Sequence, residues 1–368
     1  MGRNEGGRAG QPLQQTLQFA LWEVFEDAKT NMVALYDLAP RFVFDQRKDG
    51  ASGEASRKII EREFGFCGRR YRITLKPTQI RKSDGSVEDR YLGEREQIVE
   101  EVIRRLAGNR GRLALHGDSK VRFPFTVTEV QNELSRVRHT YSKEEIREAV
   151  TLLNEVRLKI EALEDRRAPL LSASAFPVVG MRRGLADDSE TFVEFNPLVA
   201  DAIKALGFMQ VNYDLLMLIR DPVGRWLLKR LHVQMTATDE PVQQMSASEI
   251  RRDSGMPEWK KSRDLLSRVS RAVDLLRREG MLEDVETEER MTGRRKDDIL
   301  FTMVASAAFM AEVRKSRAAS ERGKADFTRL APGRQPASDF ATVSGADAYR
   351  LRDARRRLAA APAAGPAA

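Results

Sequence analysis

The stretch SASEIRRDSGMPEWKKSRDLLSRVSRAVDLLRREGMLEDVE, residues 246–286, holds two helical patterns joined by a turn. The first pattern is short: Ser246 and Glu249 have the spacing of a capping box, and Gly255 stands where a helix ends. The second covers residues 257–279 and has apolar residues at helical spacing. A short helix, a turn and a longer helix is the order of a helix-turn-helix unit.

The longer helix has two chemically different sides. Its apolar side chains lie within about 30° of one direction at 3.6 residues per turn: Leu265, Val269, Ala272 and Leu276. The opposite side carries cationic and hydroxyl groups: Lys260, Arg263, Ser267, Arg271 and Arg278, with Lys261 next to the first. A major groove admits such a helix, and arginine there can form a bidentate contact with guanine. The pattern predicts a DNA-reading helix, although a solvated amphipathic helix has the same periodicity.

A hairpin pattern follows this helix. Two predicted strands, MLEDVETEER and DDILFTMVA, flank the tip MTGRRK. The tip is basic around Gly293, with Arg290, Arg294, Arg295 and Lys296, whereas the strands behind it are acidic. Positive charge is therefore concentrated where it can contact phosphates beside a groove. Helix, turn, helix and hairpin is the order of a winged helix, so we expect this module to be the main DNA reader.

The same order occurs earlier in the chain. A helix over residues 125–134 is followed by a capping box at Ser142 and Glu145, and strands are predicted between residues 158 and 195. The outward side of the second helix is acidic here, with Glu144, Glu148 and Glu155. We therefore expect this module to pair with another protein or to contact DNA weakly; a merely solvated acidic face is the alternative. Its basic candidates lie off that face: Arg136, Arg138 and Lys143.

These patterns predict an α+β fold, mainly α, of two tandem winged-helix domains with β-hairpin wings and disordered termini. We assign residues 1–75 to a partly helical N-terminal extension, 76–212 to the first winged helix and 213–313 to the second. Residues 314–368 are rich in Ala, Arg and Pro and are expected to form a disordered basic tail.

Composition narrows the function. The net charge of the 368-residue chain is +8, which favours an anionic partner such as nucleic acid. A single cysteine excludes a disulfide framework, and no His-x-His, His-Glu-x-x-His or phosphate-loop pattern occurs. We therefore expect no catalytic residues, no metal and no cofactor. Because the sequence shows neither a signal peptide nor an apolar run long enough for a bilayer, we expect a cytoplasmic protein with no membrane partner.

Two further segments carry a family resemblance. RYLGEREQIVEEVIRRLA, residues 90–107, precedes the first module, and DPVGRWLLKRL, residues 221–231, precedes the second. Together with SASEIRRDSG and RDLLSRVSRAVDLLRREGMLED, this arrangement resembles the RepA-like plasmid replication initiator proteins of bacteria, a tandem winged-helix family. The resemblance covers residues 71–313 and rests on domain order and on scattered apolar and basic positions.

The resemblance implies both a ligand and partners. It implies binding to repeated double-stranded sequences at a plasmid origin, with main groove contacts from the second module at Lys260, Arg263, Ser267 and Arg271. The first module would serve homodimerisation and backbone contact. Host replication initiator and helicase machinery are the implied protein partners, and no covalent chemistry is required.

Two other functions remain open at this point. A winged-helix transcriptional regulator or autorepressor would use the same folds and the same basic face. A protein-interaction scaffold would use the modules without binding DNA and predicts no salt-dependent duplex binding. RNA binding is less favoured, because aromatic residues make up 7% of the chain and no stacking-strand motif is evident.

Overall fold

The computed structural model describes most of the chain between residues 29 and 330. The described ranges are 29–44, 59–81, 85–108, 113–116, 120–164, 170–181, 190–259, 261–293 and 295–330. The predictions made for residues 1–28, for Lys260 and Arg294, and for residues 331–368 lie outside these ranges.

A first group of elements precedes both predicted modules. It comprises β1 (Lys29–Met32), α1 (Ala34–Leu38), β2 (Ile60–Phe66), β3 (Arg69–Lys76), β4 (Thr78–Arg81) and β5 (Val87–Arg90). β2 and β3 form an antiparallel hairpin, and so do β4 and β5. Apolar residues are buried at every second position of the β2–β3 hairpin, which is the period of a strand with one buried face: Phe64, Phe66, Tyr71, Ile73 and Leu75.

The first helical unit comprises α2 (Glu94–Ala107), β6 (Ala114–His116), β7 (Lys120–Phe125), α3 (Val127–Arg136) and α4 (Lys143–Glu155). The predicted start of α4 is confirmed, since the backbone N–H of Glu145 donates to Ser142 Oγ at 3.2 Å. The apolar stripe of α4 packs into the core through Ile146, Ala149, Val150 and Leu153. α3 and α4 thus form the predicted helix pair.

The strands that follow α4 divide between two sheets. They are β8 (Arg157–Ala162), β9 (Leu171–Ala173), β10 (Val178–Met181) and β11 (Thr191–Glu194). β10 and β11 form a hairpin that pairs with β7, in the order β10-β11-β7-β6, and this is the hairpin of the first unit. β8 and β9 instead join the N-terminal hairpin in the order β2-β3-β8-β9, because β8 buries Leu158 and Ile160 beside β3.

The second helical unit follows α5 (Pro197–Lys204) and β12 (Met209–Asn212), the latter paired with β1. It comprises α6 (Tyr213–Leu218), α7 (Pro222–Thr238), β13 (Val242–Ser246), α8 (Ala247–Ser254), α9 (Ser262–Arg278), β14 (Leu282–Thr292), β15 (Arg295–Ala305) and α10 (Ala307–Leu330). β13, β15 and β14 form one antiparallel sheet in that order. The predicted capping box at Ser246 is confirmed: Glu249 N–H donates to Ser246 Oγ at 3.2 Å.

Two predictions about fold content need correction. The chain is a mixed helix-and-sheet protein, not a mainly helical one, because β2, β3, β4 and β5 add two hairpins to the predicted strands. Residues 314–330, predicted as disordered tail, are helical within α10. This helix is anchored by the burial of Phe309, Met310 and Val313, and its continuation is rich in residues of high helix propensity.

A buried ion cluster joins the N-terminal segment to both units. Its members come from α1, the residues after it, α2 and α7: Asp37, Arg41, Glu100, Glu101, Arg104 and Lys229. Asp37 lies 2.6 Å from Arg104 and 3.3 Å from Lys229, and Arg41 pairs with Glu100 while Lys229 pairs with Glu101. Burial alone would raise the pKa of Asp37, but the cations of Arg104, Lys229 and Arg41 hold it well below its usual value. The three acids and three bases balance, so the cluster can be buried without net charge.

Candidate nucleic-acid interface

α9 is fixed against the core by one apolar side. Leu266, Val269, Ala272, Val273 and Leu276 are buried. The predicted stripe is therefore shifted slightly: Leu266 and Val273 are buried, whereas Leu265 is half-buried. Arg268 also connects α9 to α7. Its guanidinium donates to both carboxylate oxygens of Asp221, the N-cap of α7, at 2.5 and 2.6 Å. Burial would raise the pKa of Asp221, but the hydrogen bonds and charge of Arg268 outweigh it and lower that pKa.

The turn before α9 is held by the N-terminal segment. Gly255 ends α8 in the left-handed conformation, with φ +75°. A Cβ atom at this glycine would lie 2.7 Å from Pro40 Cβ and from a terminal nitrogen of Arg62. Asp253 accepts a hydrogen bond of 2.9 Å from the backbone N–H of Gly65 on β2. The helix-turn-helix geometry of the second unit is thus supported by residues far away in the sequence.

The helix itself begins later than predicted. α9 starts at Ser262, not at residue 257, because the chain from Met256 to Trp259 is irregular and Lys261 has the extended backbone of an N-cap. Lys261 is exposed at this N-cap position, and Trp259, two residues earlier, is 41% exposed. The exposed aromatic ring beside the basic residues was not singled out from the sequence.

The outward side of α9 is exposed as predicted. Arg263, Ser267 and Arg271 are four residues apart and exposed, so they form one line along the helix. The Arg263 side chain is 85% exposed and lies 3.7 Å from Asp264, while Arg271 donates to the carbonyl of Ser267 at 3.3 Å. Arg278 is exposed at the C-terminal end, about 20 Å farther along the helix than Arg263.

The β14–β15 hairpin brings its basic tip to the start of α9. Arg295 donates to Ser262 Oγ at 2.6 Å, and Gly293 makes the turn with φ +63°. Lys296 forms an ion pair of 2.5 Å with Glu289, and Arg290 is exposed on β14. The structure therefore unites the two basic features that the sequence showed 30 residues apart.

α9 and the β14–β15 hairpin border an open groove with a volume of about 770 Å³. It is lined by Lys261, Ser262, Arg263, Leu266, Ser267, Ser270, Arg295, Lys296 and Ile299. Ser262 and Ser270 were not predicted as site residues. Ser262 lies between the predicted Lys261 and Arg263, and Ser270 lies one helical turn after Ser267, which is the signal that could have found them. The groove combines arginine, lysine and hydroxyl donors with the apolar side chains of Leu266 and Ile299, which suits contact with phosphates and base edges.

The basic candidates of the first unit have a different setting. Arg136 forms ion pairs with Glu133 at 2.9 Å and with Asp214 at 2.7 Å, and these hydrogen bonds raise its pKa. Arg138 is exposed in the left-handed conformation, with φ +61°, between α3 and α4. Lys143 is the half-buried first residue of α4. None of the three lines the groove beside α9.

The acidic side of α4 is largely engaged within the chain. Glu148 lies 3.4 Å from Arg90 and 3.1 Å from Arg95, and Glu155 accepts a hydrogen bond of 2.8 Å from Thr78. The β4–β5 hairpin, which carries Thr78 and Arg90, supplies two of these contacts. Glu144 is exposed and pairs with Arg147 at 3.4 Å. The outward face of α4 is thus partly covered by the protein itself.

Two further kinds of feature, metal-binding clusters and membrane-spanning helices, are absent from the described part of the chain. Within the ranges given above, no group of three or more His, Cys, Asp or Glu side chains is placed to hold a metal ion. Among the helices described, none combines the length and the apolar character needed to cross a bilayer.

Comparison with known proteins gives similarity in structure alone. No protein-family model matches the sequence, and no curated protein matches it. Similar solved structures include domains 2 and 3 of RctB, at 10% identity and a TM-score of 0.45, with 75% of this chain and 97% of that chain covered. They also include the Pi initiator protein in complex with iteron DNA, at 10% identity and a TM-score of 0.39, with 58% and 94% covered.

The Pi initiator protein is thus among the solved structures similar to this chain. At these identities and TM-scores the similarity carries no argument about function.

Proposed function

We propose that this chain is a plasmid replication initiator that binds duplex DNA mainly through its second helical unit. α9 would enter the major groove, with Arg263, Ser267 and Arg271 directed at base edges, and the hairpin tip would contact the adjacent backbone through Arg295 and Lys296. One observation carries this proposal: the exposed basic line of α9 and the basic hairpin tip meet at a single groove.

In this proposal both units act as winged helices. The first would consist of α2, α3 and α4 with the β10–β11 hairpin, and the second of α7, α8 and α9 with the β14–β15 hairpin. The shared core and the buried ion cluster support a fixed spacing between them. A fixed spacing suits origin sites whose half-sites repeat at a constant distance.

The first unit would have the supporting role. We propose that Arg138 and Lys143 contact the DNA backbone, and that DNA contact by Arg136 competes with its ion pairs to Glu133 and Asp214. Homodimerisation would use this unit, with Glu144 among its exposed acidic residues. The protein would act in the cytoplasm without covalent chemistry and would recruit the host replication initiator and helicase machinery.

A fluorescence-anisotropy titration tests the DNA-binding step. The probes are the duplex directly upstream of the chain's own gene and a scrambled duplex of equal length, each at two salt concentrations. We expect selective binding to the first duplex that weakens with salt; about six phosphate contacts would cost on the order of a thousandfold in affinity between about 50 and 200 mM salt. No duplex binding at either salt concentration would refute the proposal and favour a protein-interaction scaffold.

Two arginine variants test the assignment of α9. Arg263→Ala and Arg271→Ala should each weaken specific binding by about 1–3 kcal/mol. Arg322→Ala is the matched control, because Arg322 is exposed on α10 and does not line the groove. Unchanged specific affinity in both α9 variants would show that another surface reads the DNA.

A replication assay separates an initiator from a regulator. A plasmid that carries only this gene and its upstream repeats should replicate in a bacterial host, and the Arg263→Ala plasmid should not. The resemblance of residues 71–313 to initiators supports this expectation. Selective DNA binding without replication in any tested host would instead favour the regulator.

A further inference from the structure

The β14–β15 hairpin projects beyond the sheet to which it belongs. β13 pairs with β15 only as far as Ser246↔Leu300, whereas β14 continues to pair with β15 to Thr292↔Arg295. The outer part of the hairpin therefore has no third strand. At 3.3 Å per residue it extends about 15 Å past the packed part of the sheet, which is long enough to reach into a groove of DNA.

An exposed apolar side chain lies close to the end of this projection, one pair before the last pair of the ladder, Thr292↔Arg295. Met291 is 54% exposed, more than any other large apolar side chain in the described part of the chain. The pairing register shifts between Arg290 and Met291, which pair with Asp298 and Lys296. Such a bulge redirects the side chains next to it. The extra residue of this bulge is Asp297 on β15, directly beside the Met291 pair. Met291 itself buries little of its surface in the protein.

Charge along the hairpin limits how it can meet DNA. The tip residues Arg290, Arg295 and Lys296 are basic, whereas the outer strand behind them carries Glu283, Asp284, Glu286, Glu288 and Glu289. Phosphates attract the tip and repel the acidic strand. The hairpin should therefore approach a duplex end-on, with Met291 close to its leading end and the acidic strand kept outside the groove.

We infer that Met291 is an apolar wedge that enters the minor groove of the bound duplex and partly unstacks a base step. Methionine is one of the side chains that architectural DNA-binding proteins insert in this way, and such insertion kinks the duplex toward the major groove. The flexible, unbranched side chain of methionine adapts to an irregular gap between bases. This inference rests on the proposed DNA binding and adds a mechanism by which the chain distorts DNA next to its site.

The test uses the full chain and the tightest duplex that it recovers from a random-sequence library. Energy transfer between dyes at the two duplex ends reports the bend, and permanganate reports unstacked thymines. The variants are Met291→Ala, which removes the wedge, and Met291→Leu, which keeps an apolar side chain of similar volume. Leu218→Ala is the control, because Leu218 is 53% exposed but lies on α6.

We expect the wild-type protein and Met291→Leu to bend the duplex and expose thymines, and Met291→Ala to bind while losing both signals. Leu218→Ala should behave like the wild type. A wild-type complex without bend or permanganate reactivity, or a Met291→Ala complex that keeps both, would overturn the wedge while leaving DNA binding intact. Failure of the wild type to bind any duplex would overturn the proposed function itself.

Discussion

α4 and α9 each follow a shorter helix in their units, yet their outward faces differ in charge and in the contacts that they make. On α9, Arg263 and Ser267 are exposed beside an open groove. On α4, Glu148 and Glu155 are engaged by Arg90, Arg95 and Thr78 of the same chain. The comparison teaches that helix order alone does not determine which outward face stays open. The packing of neighbouring segments contributes, since the β4–β5 hairpin covers part of the α4 face and no described element covers the line of Arg263, Ser267 and Arg271 on α9.

The strongest test concerns the scaffold that holds the two helices in place. Asp37→Asn should lower the free energy of unfolding by about 3–5 kcal/mol, because Arg104 and Lys229 would stay buried without their shared carboxylate. Urea unfolding measures the change. Asp239→Asn is the control: its ion pair with Arg314 is exposed and should contribute less than about 1 kcal/mol. Equal effects of the two substitutions would mean that the cluster does not hold the units together.

The next test asks whether the N-terminal segment supports the turn before α9. Gly255→Ala should destabilise the protein by about 3 kcal/mol, because the new Cβ adds a clash with Pro40 and Arg62 to the strain of a positive φ. Gly280→Ala has the same φ of +75° and nothing within 4 Å of the new Cβ, so it should cost only about 1–2 kcal/mol. Thermal or urea unfolding gives both values. If the two variants lose equal stability, the contact with the N-terminal segment contributes nothing.

A charge placed on each outward face compares the two helices directly. Ser267→Glu on α9 should weaken DNA binding by about 2 kcal/mol, because it puts a carboxylate into the groove next to phosphates. Thr151→Glu on α4 should leave DNA affinity unchanged, since Thr151 faces outward on the acidic helix. Anisotropy titrations measure the DNA affinity of both variants and of the wild type. A larger loss for Thr151→Glu would make the first unit the main reader.

The smallest expected effect is a pH dependence of the scaffold. Burial, with a contribution from the charge of Lys29, lowers the pKa of His232 to about 3. As the pH falls, His232 is protonated in the unfolded chain before it is protonated in the folded one. The free energy of unfolding therefore has its full value above the unfolded pKa of 6.5 and falls as the pH drops toward 3. Between pH 7.5 and 5.5 the wild type should lose about 1 kcal/mol more than His232→Gln. Parallel urea titrations at the two pH values test this; identical losses would contradict it.

Local features of the fold were readable from the sequence because they depend on near neighbours. The capping boxes at Ser142 and Ser246 form as predicted, and Asn196 and Asp221 cap the helices that begin with proline. Each involves hydrogen bonds across at most three residues. The start of α9 was placed five residues too early, because the apolar period does not reveal that the chain before Ser262 is irregular.

Long-range features were not readable. Asp37 and Arg41 resemble surface residues in the sequence, and nothing local indicates that α1 packs on α7 or that Asp37 pairs with Arg104 of α2. The pairing of β8 with β3 was likewise missed, because an alternating strand fits any sheet that offers a neighbour and a buried face. The engagement of Glu148 depends on Arg90 and Arg95, which the helix pattern of α4 does not include.

The sequence by itself determined where charge lies: a basic line on α9, a basic hairpin tip with acidic strands, and an acidic side on α4. Only the tertiary structure decided which of these faces is available. It brought Arg295 to Ser262, covered part of α4 with the β4–β5 hairpin, and tied both units to the N-terminal segment through buried ions. The physical reason is that periodicity and capping act over a few residues, whereas burial and ion pairing depend on which distant segments share the core.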